Sequence, residues 1–167
     1  MDKGRSMMVK GYLKFAMLML VVVAAVPTAF TQAFGQETAR EQAITQRHDD
    51  PQLKWSPCPP IFPKGCEVTV LRGDPVNGRA DIFLRTPANY TLPSHWHTSP
   101  EHMILVAGEL HVTYEGQSPS VLKAGSYAYG PAKAKHEGRC ANAGPCVLFI
   151  AFESPIDAVL TNEPAKK

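Results

Sequence analysis

Two histidines and a glutamate stand close together in the segment His95-Trp96-His97-Thr98-Ser99-Pro100-Glu101. On a β-strand, residues two positions apart point to the same face, so His95 and His97 present both imidazoles to one side. Glu101 follows a Thr-Ser-Pro bend, from which its carboxylate can return to that side. Two imidazoles and a carboxylate are good ligands for a divalent first-row transition metal. The spacing therefore predicts a metal site, although histidines two apart also occur on strands by chance.

A third imidazole has to come from elsewhere in the chain. His136 is the natural candidate, because it follows Gly130-Pro131 at the end of another predicted strand. His102 directly follows Glu101 and would face away from the metal. His111 stands in an alternating segment and is expected at the surface or in a hydrogen bond.

Short strands separated by turns fill the rest of the chain. Apolar, β-branched or alternating residues predict strands at 67–71, 80–85, 101–107, 110–114, 120–123, 126–129 and 146–152. The last of these is an almost unbroken apolar run, which is typical of a strand central to its sheet or buried on both faces. The 15 prolines and 12 glycines provide many turns. The pattern predicts an all-β sandwich or barrel.

The N-terminus has the pattern of a secretory signal peptide. Four basic residues precede an uncharged apolar run at 15–26, which is too short to span a bilayer comfortably. Small residues at Ala33 and Gly35 predict cleavage before Gln36 and a periplasmic or secreted location; an uncleaved anchor is the alternative. The predicted organisation is a signal peptide at 1–35, a flexible linker at 36–52, a barrel domain at 53–160 and a loose tail at 161–167.

The mature chain is nearly neutral. Of the 17 basic and 15 acidic residues, the first 35 positions hold four basic residues and Asp2, which leaves 13 basic and 14 acidic. There is no basic stripe, so the sequence gives no reason to expect nucleic-acid binding, or membrane binding after cleavage of the signal. The expected partner is a small-molecule ligand or substrate.

All four cysteines follow the expected cleavage site. An even number in an exported chain favours disulfides over free thiols. Three pairings are possible, and we favour the local pairs Cys58–Cys66 and Cys140–Cys146, because each closes a short loop rich in Pro, Gly or Ala. The spacings match no common zinc pattern.

Two motifs around the histidines resemble those of the cupin superfamily. The first is His95-x-His97-x3-Glu101-x6-Gly108, and the second is Gly125-x5-Pro131-x4-His136. The resemblance implies a cupin-type double-stranded β-helix, that is, a jelly-roll barrel. It also implies one divalent transition metal, with the ligands His95, His97, Glu101 and His136. Since Fe, Mn, Ni, Cu, Co and Zn all accept such ligands, the identity of the metal stays open.

Three positions depart from the cupin pattern. Asn89 and Lys133 stand where glycines are usual, and Cys140 stands in place of an asparagine. Asparagine tolerates a left-handed turn, whereas lysine is a worse substitute if the turn needs positive φ. The departures bear on loop shape and leave the four ligand positions intact.

The chain most resembles small single-domain cupins of unassigned function, so the resemblance implies no substrate. One hypothesis is a metalloenzyme, for example a dioxygenase, acting on a small organic molecule. The alternative is a non-catalytic periplasmic module that binds or senses a small molecule or a metal. Homodimers are common among such barrels, but no residue pattern here marks an interface.

Five residues are candidates for lining the mouth of the barrel: Phe83, Arg85, Tyr127, Tyr129 and Phe149. Arg85 has the chemistry to hold a substrate carboxylate by a bidentate contact. Core packing for the aromatic residues, and a solvated charge for the arginine, are the alternatives.

Overall fold

The computed structural model describes residues 41–161, which are organised as eleven strands and their connections. The compact unit that holds the strands begins at Ala43. The strands are β1 (Ser56–Pro57), β2 (Glu67–Gly73), β3 (Ala80–Thr86), β4 (Thr91–Trp96), β5 (Glu101–Ala107), β6 (Glu109–Tyr114), β7 (Ser120–Lys123), β8 (Tyr127–Gly130), β9 (His136–Cys140), β10 (Cys146–Phe152) and β11 (Val159–Leu160). Among these residues, no helix is long and apolar enough to cross a membrane.

The strands form two antiparallel sheets. One has six strands in the order β1-β2-β3-β10-β5-β8, and the other has five in the order β11-β4-β9-β6-β7. β10 is central to its sheet, as its apolar run predicted: Ile150 lies opposite Ile82 on β3 and opposite Met103 on β5. The predicted all-β jelly-roll architecture is confirmed. The signal peptide predicted at 1–35, part of the linker and nearly all of the tail lie outside the described residues.

The hydrophobic core lies between the two sheets. Alternate residues of each strand point inward, because side chains on a strand change face at every step. The buried inward-facing set includes Ile82, Met103, Leu105, Leu110, Val112, Leu122, Leu148, Ile150 and Phe152. Burial of these aliphatic and aromatic side chains is the main favourable free-energy term that holds the sheets face to face.

Two disulfides tie the ends of strands together. Cys58 pairs with Cys66, which closes the loop between β1 and β2, and Cys140 pairs with Cys146, which joins the end of β9 to the start of β10. These are the local pairs favoured from the sequence. The second bond links the two sheets at one end of the barrel, because β9 and β10 belong to different sheets.

Two of the positions that depart from the cupin pattern have a left-handed backbone. Asn89 has φ of 60° and Lys133 has φ of 63°. The Lys133 N–H donates to the carbonyl of His97 over 2.7 Å, so this turn packs directly against the histidine segment. The glycine preference at both positions therefore has a conformational cause, and the lysine carries the larger penalty because a Cβ crowds the backbone in this region.

Candidate metal centre

Three histidines converge inside the barrel. His95, His97 and His136 are all buried, and one nitrogen from each lies within 4.8 Å of the others. His95 lies near the end of β4, and His97 follows that strand directly. His136 follows Gly130-Pro131 at the end of β8, as expected, and it opens β9. Adjacent strands of one sheet thus supply all three imidazoles.

An irregularity in β4 sets the alignment of two of the histidines. Leu92 lies opposite Gly138. Three residues further along β4, His95 lies opposite His136, which is only two residues from Gly138. The additional residue makes a β-bulge, and Pro93, which has no N–H for the ladder, lies within it. With this bulge, the ring centroids of His95 and His136 lie 4.2 Å apart.

Each of the three imidazoles is oriented by a backbone carbonyl. The Nδ1 of His95 lies 2.7 Å from the Pro93 oxygen, and that of His136 lies 3.0 Å from the Ala134 oxygen. The Nδ1 of His97 contacts the carbonyl of Asp157, sixty residues away in sequence. A carbonyl only accepts hydrogen bonds, so each Nδ1 carries the proton and each Nε2 has a free lone pair.

Glu101 lies beside two of these nitrogens. Its Oε1 is 3.3 Å from Nε2 of His136, and its Oε2 is 3.7 Å from Nε2 of His97. The Tyr114 hydroxyl donates a 3.3 Å hydrogen bond to Oε1. A Cβ built at Gly130 would come within 2.6 Å of Oε1 and 2.7 Å of the tyrosine oxygen, so only glycine leaves room for this pair.

Burial controls the charge of the cluster. Desolvation lowers the pKa of His95 to about 3, with further lowering from His136 and His97. Desolvation also lowers the pKa values of His97 and His136 and raises the pKa of the Glu101 carboxyl. At neutral pH the imidazoles are therefore uncharged, and no proton has to leave them before a cation binds.

The donor set fits a divalent transition metal. It offers three neutral imidazole nitrogens and one carboxylate, which suits such ions in both charge and ligand type. The carbonyl contacts at Nδ1 are the outer contacts that metal-binding histidines usually have. A cation would also compensate the otherwise unfavourable burial of an ionised Glu101.

A cavity of about 290 Å³ adjoins the cluster. Its lining includes His95, His97, Glu101 and His136, and aliphatic residues from both sheets are the largest group among the rest. Residues of three irregular segments also line it, at 58–62, 75–76 and 156–158. Phe62 of the first segment makes an edge contact with His95, with ring centroids 4.9 Å apart. Phe62, Tyr114 and Asp157 are site residues that the sequence reasoning missed.

The five residues expected at the mouth do not line this cavity. Ile82 and Leu84 on β3 face inward, so Phe83 and Arg85 project from the opposite side of the sheet. The ring of Phe83 makes an edge contact with Phe149, which lies across from it on β10. Because side chains alternate along β3, Phe83 and Arg85 cannot line the cavity together with Ile82 and Leu84.

The remaining three residues have partners on the outer side. Arg85 lies 2.7 Å from the Glu67 carboxylate and stacks over Trp55 at 4.0 Å. The exposed Tyr127 and Tyr129 both contact the ring of His102. Arg85 is therefore held by an acid and an indole outside the barrel, away from any ligand in the cavity.

Comparisons with known proteins agree with this architecture. Residues 43–154 match the family model of the ChrR cupin-like domain. No curated protein matches the chain. The chain is similar to the crystal structure of the DMSP lyase DddQ from Ruegeria pomeroyi DSS-3, with 21% identity and a TM-score of 0.56 over 65% of this chain and 61% of that one.

Two further solved structures share the fold. An RmlC-like cupin from Shewanella frigidimarina NCIMB 400 is 22% identical, with a TM-score of 0.52 over 62% of this chain and 85% of that one. An oxalate oxidase in complex with the substrate analogue glycolate is 19% identical, with a TM-score of 0.51 over 60% of this chain and 57% of that one. The alignments thus span about three fifths of the lyase and of the oxidase. The family model covers more than half of the 167 residues, and the chain belongs to the ChrR cupin-like domain family of the cupin superfamily.

Proposed function

We propose that this chain is an exported metal-dependent protein that acts on a small organic molecule. In this proposal His95, His97, Glu101 and His136 hold one divalent transition metal at the edge of the cavity. One observation carries the proposal: each imidazole donates its Nδ1 proton to a backbone carbonyl, and the three unprotonated nitrogens meet at one place. Three neutral, oriented and buried imidazoles are a costly arrangement for packing alone, since their burial is unfavourable without a polar partner.

The metal, when bound, would supply Lewis acidity to a donor atom of the substrate. Four protein ligands leave room in the coordination shell of a six-coordinate ion, and an open position distinguishes a reactive site from a closed structural one. The aliphatic walls exclude water from the bound molecule. Tyr114 holds Oε1 of Glu101, which leaves Oε2 free to bind the ion or to accept a proton.

A non-catalytic binding module is the second candidate. The specific observation in its favour is the largely aliphatic lining of the cavity, in which the described acidic residues besides Glu101 are Glu137 and Asp157. The Asp157 carboxylate is already bonded to Thr98. Proteins with this fold include one named as a DMSP lyase and one named as an oxalate oxidase, so the fold itself is compatible with more than one chemistry. Turnover of a bound ligand distinguishes the candidates.

Export is supported by the two disulfides. Such bonds persist in oxidising compartments and are rare in a reducing cytosol. Together with the signal-like N-terminus, they favour a periplasmic or secreted location. Sequencing the N-terminus of the protein recovered from the native host tests this step, and a new terminus near Gln36 is the expected result.

Elemental analysis of the natively exported protein tests the metal proposal. We expect a near-stoichiometric transition metal in the wild-type protein and in His102→Ala, and background levels in His97→Ala. His102 is the matched control because it lies on the same strand as Glu101 but contacts Tyr127 and Glu153 outside the barrel. Metal-free wild-type protein that also fails to bind added Mn²⁺, Fe²⁺, Co²⁺, Ni²⁺, Cu²⁺ or Zn²⁺ would refute the proposal.

A further inference from the structure

The proposed ligands cluster at one end of the barrel. His136 opens β9, Glu101 opens β5, and the latter lies opposite Phe152 at the end of β10. The Cys140–Cys146 disulfide joins the opposite ends of β9 and β10. A molecule bound to the metal would therefore touch the ion with one end and extend its remaining atoms along the cavity.

The walls along that path are hydrocarbon. Both sheets contribute aliphatic side chains, among them Val68, Ile82, Leu84, Val112, Leu148 and Ile150. The volume of about 290 Å³ is near the lower limit of typical ligand pockets. It has room for roughly ten water-sized groups. Val76, in the turn between β2 and β3, also lines the cavity and is 76% exposed, so the space reaches solvent there.

The cavity lining, as far as residues 41–161 define it, is without a cationic side chain. Among the described residues that line it, none is lysine or arginine. The acidic residues that line it besides Glu101 are Glu137 and Asp157, and the Asp157 carboxylate is hydrogen-bonded to the backbone N–H and the hydroxyl of Thr98. Arg85, the expected substrate anchor, is paired with Glu67 on the outside. Next to these described residues, a bound metal would supply the positive charge that a ligand in this space meets.

This distribution of charge discriminates between ligands. A single oxygen head group can bind the ion while its hydrocarbon body replaces water along the walls. A second carboxylate would be buried among aliphatic groups without a counter-ion, which is strongly unfavourable. We propose that the cavity selects small molecules with one metal-binding oxygen head group and an uncharged hydrocarbon body, and that it rejects extended dicarboxylates, whose second carboxylate lies among the aliphatic walls beyond reach of the ion. This inference rests on the proposed metal function and specifies its substrate class.

Calorimetric titration of the mature, Co²⁺-loaded protein tests the inference. The probes are linear monocarboxylates from acetate to octanoate and the matching long dicarboxylates from adipate to suberate, in which both carboxylates cannot bind the same ion in a small chelate ring. We expect affinity for the monocarboxylates to rise by up to about fourfold for each methylene until the cavity is full. Each dicarboxylate should bind at least about 30-fold more weakly than the monocarboxylate of equal length. Equal binding of the two series, or no dependence on chain length, would overturn the inference.

Two valines with similar exposure provide the variant and its control. Val70 lines the cavity and is 45% exposed, whereas Val121 on β7 is 52% exposed and is not part of the lining. Val70→Trp should weaken octanoate binding at least about tenfold and leave acetate binding unchanged, and Val121→Trp should change neither. Val76→Arg, at the exposed turn, should strengthen suberate binding selectively. If both tryptophan variants bind octanoate like wild type, the hydrocarbon body lies elsewhere and the inference fails.

The same titrations separate this inference from the metal proposal. The metal-free protein is titrated with neutral 1-alkanols from ethanol to octanol, which need no counter-ion. Dependence on alkanol chain length without any Co²⁺ binding would refute the metal proposal and support the hydrocarbon cavity. Co²⁺ binding without dependence on chain length in either series would support the metal proposal and refute the cavity inference.

Discussion

Glu101 and His102 are neighbours on β5, yet they belong to two different histidine environments. Glu101 points inward to three buried imidazoles, and its carboxylate lies beside the unprotonated Nε2 atoms of His97 and His136. His102 points outward, where its Nδ1 lies 2.8 Å from the Tyr127 hydroxyl and its Nε2 lies 2.8 Å from the Glu153 carboxylate. We call these the inner and the outer cluster.

The difference between the clusters is one of available lone pairs. Inside, backbone carbonyls take the Nδ1 protons and leave three nitrogens converging on one point. Outside, a hydroxyl and a carboxylate occupy both nitrogens of a half-exposed ring. Histidine content alone therefore does not define a metal site; the partners on the second nitrogen and the degree of burial do.

Removing one inner imidazole should have the largest effect. His136→Ala should weaken metal binding by about 100- to 1,000-fold, because structural metal sites of four ligands bind with roughly 10–16 kcal/mol in total. His111→Ala is the control, since His111 on β6 contacts the Glu109 carboxylate outside the cluster. Competition with a chromophoric chelator measures both affinities. Equal affinity in the two variants would show that the inner cluster is not the metal site.

The inner cluster should also make the stability of the metal-free protein depend on pH. Burial lowers the pKa of all three histidines in the folded chain, that of His95 to about 3, whereas the unfolded chain takes up protons near pH 6.5. Below about pH 6.5 the unfolded state therefore binds more protons, and the free energy of unfolding falls by up to about 1.4 kcal/mol per pH unit for each histidine.

Glu101 acts in the opposite direction. Its pKa is raised in the folded chain, so folded protein takes up this proton first and regains part of the lost stability on acidification. The destabilising effect of three histidines is larger than the stabilising effect of one carboxyl. We therefore expect the free energy of unfolding to fall by on the order of 2 kcal/mol between pH 6.5 and 5. Urea unfolding of chelator-treated protein at each pH measures this change. His95→Gln should reduce the slope of the free energy of unfolding against pH. A free energy of unfolding that stays constant over this interval would contradict the lowered pKa values.

Gly130 provides a test of the carboxylate side of the inner cluster. In Gly130→Ala the new methyl group would collide with Oε1 of Glu101 and with the Tyr114 hydroxyl. We expect a loss of about 1–2 kcal/mol in the free energy of unfolding and about tenfold weaker metal binding. Gly78→Ala is the control, because its nearest neighbour would be the Asp74 oxygen at 3.9 Å. An unchanged metal affinity in Gly130→Ala would mean that the position of Glu101 is unimportant to the site.

Sequence patterns predicted the strands that have a regular apolar alternation or run. The segments predicted at 101–107, 120–123 and 146–152 have the same bounds as β5, β7 and β10. The sequence patterns did not reveal the bulge at Pro93. They also did not reveal the Asp157 carbonyl that orients His97, because a backbone group distant in sequence leaves no side-chain signal.

The five mouth residues show a second limit. Apolar residues occupy both the even and the odd positions of β3, since Ile82 and Leu84 alternate with Phe83. Alternation alone therefore could not tell which side faces the cavity. Only the packing of the second sheet decides it, and that information is spread over distant strands.

The smallest effect concerns the two turns in which a residue other than glycine has positive φ, at Asn89 and at Lys133. Lys133 has positive φ, which strains any residue with a Cβ by about 1–2 kcal/mol. Glycine removes that strain but also increases the entropy of the unfolded chain, by about 0.4–1 kcal/mol. Lys133→Gly should therefore raise the free energy of unfolding by roughly 0.5–1 kcal/mol, the balance of these two contributions. Asn89→Gly should give a smaller gain, because asparagine already tolerates this conformation. Urea denaturation of both variants at pH 7 measures the difference. If Lys133→Gly is less stable than wild type, contacts of the lysine side chain outweigh the backbone strain, and the glycine preference at this turn has another cause.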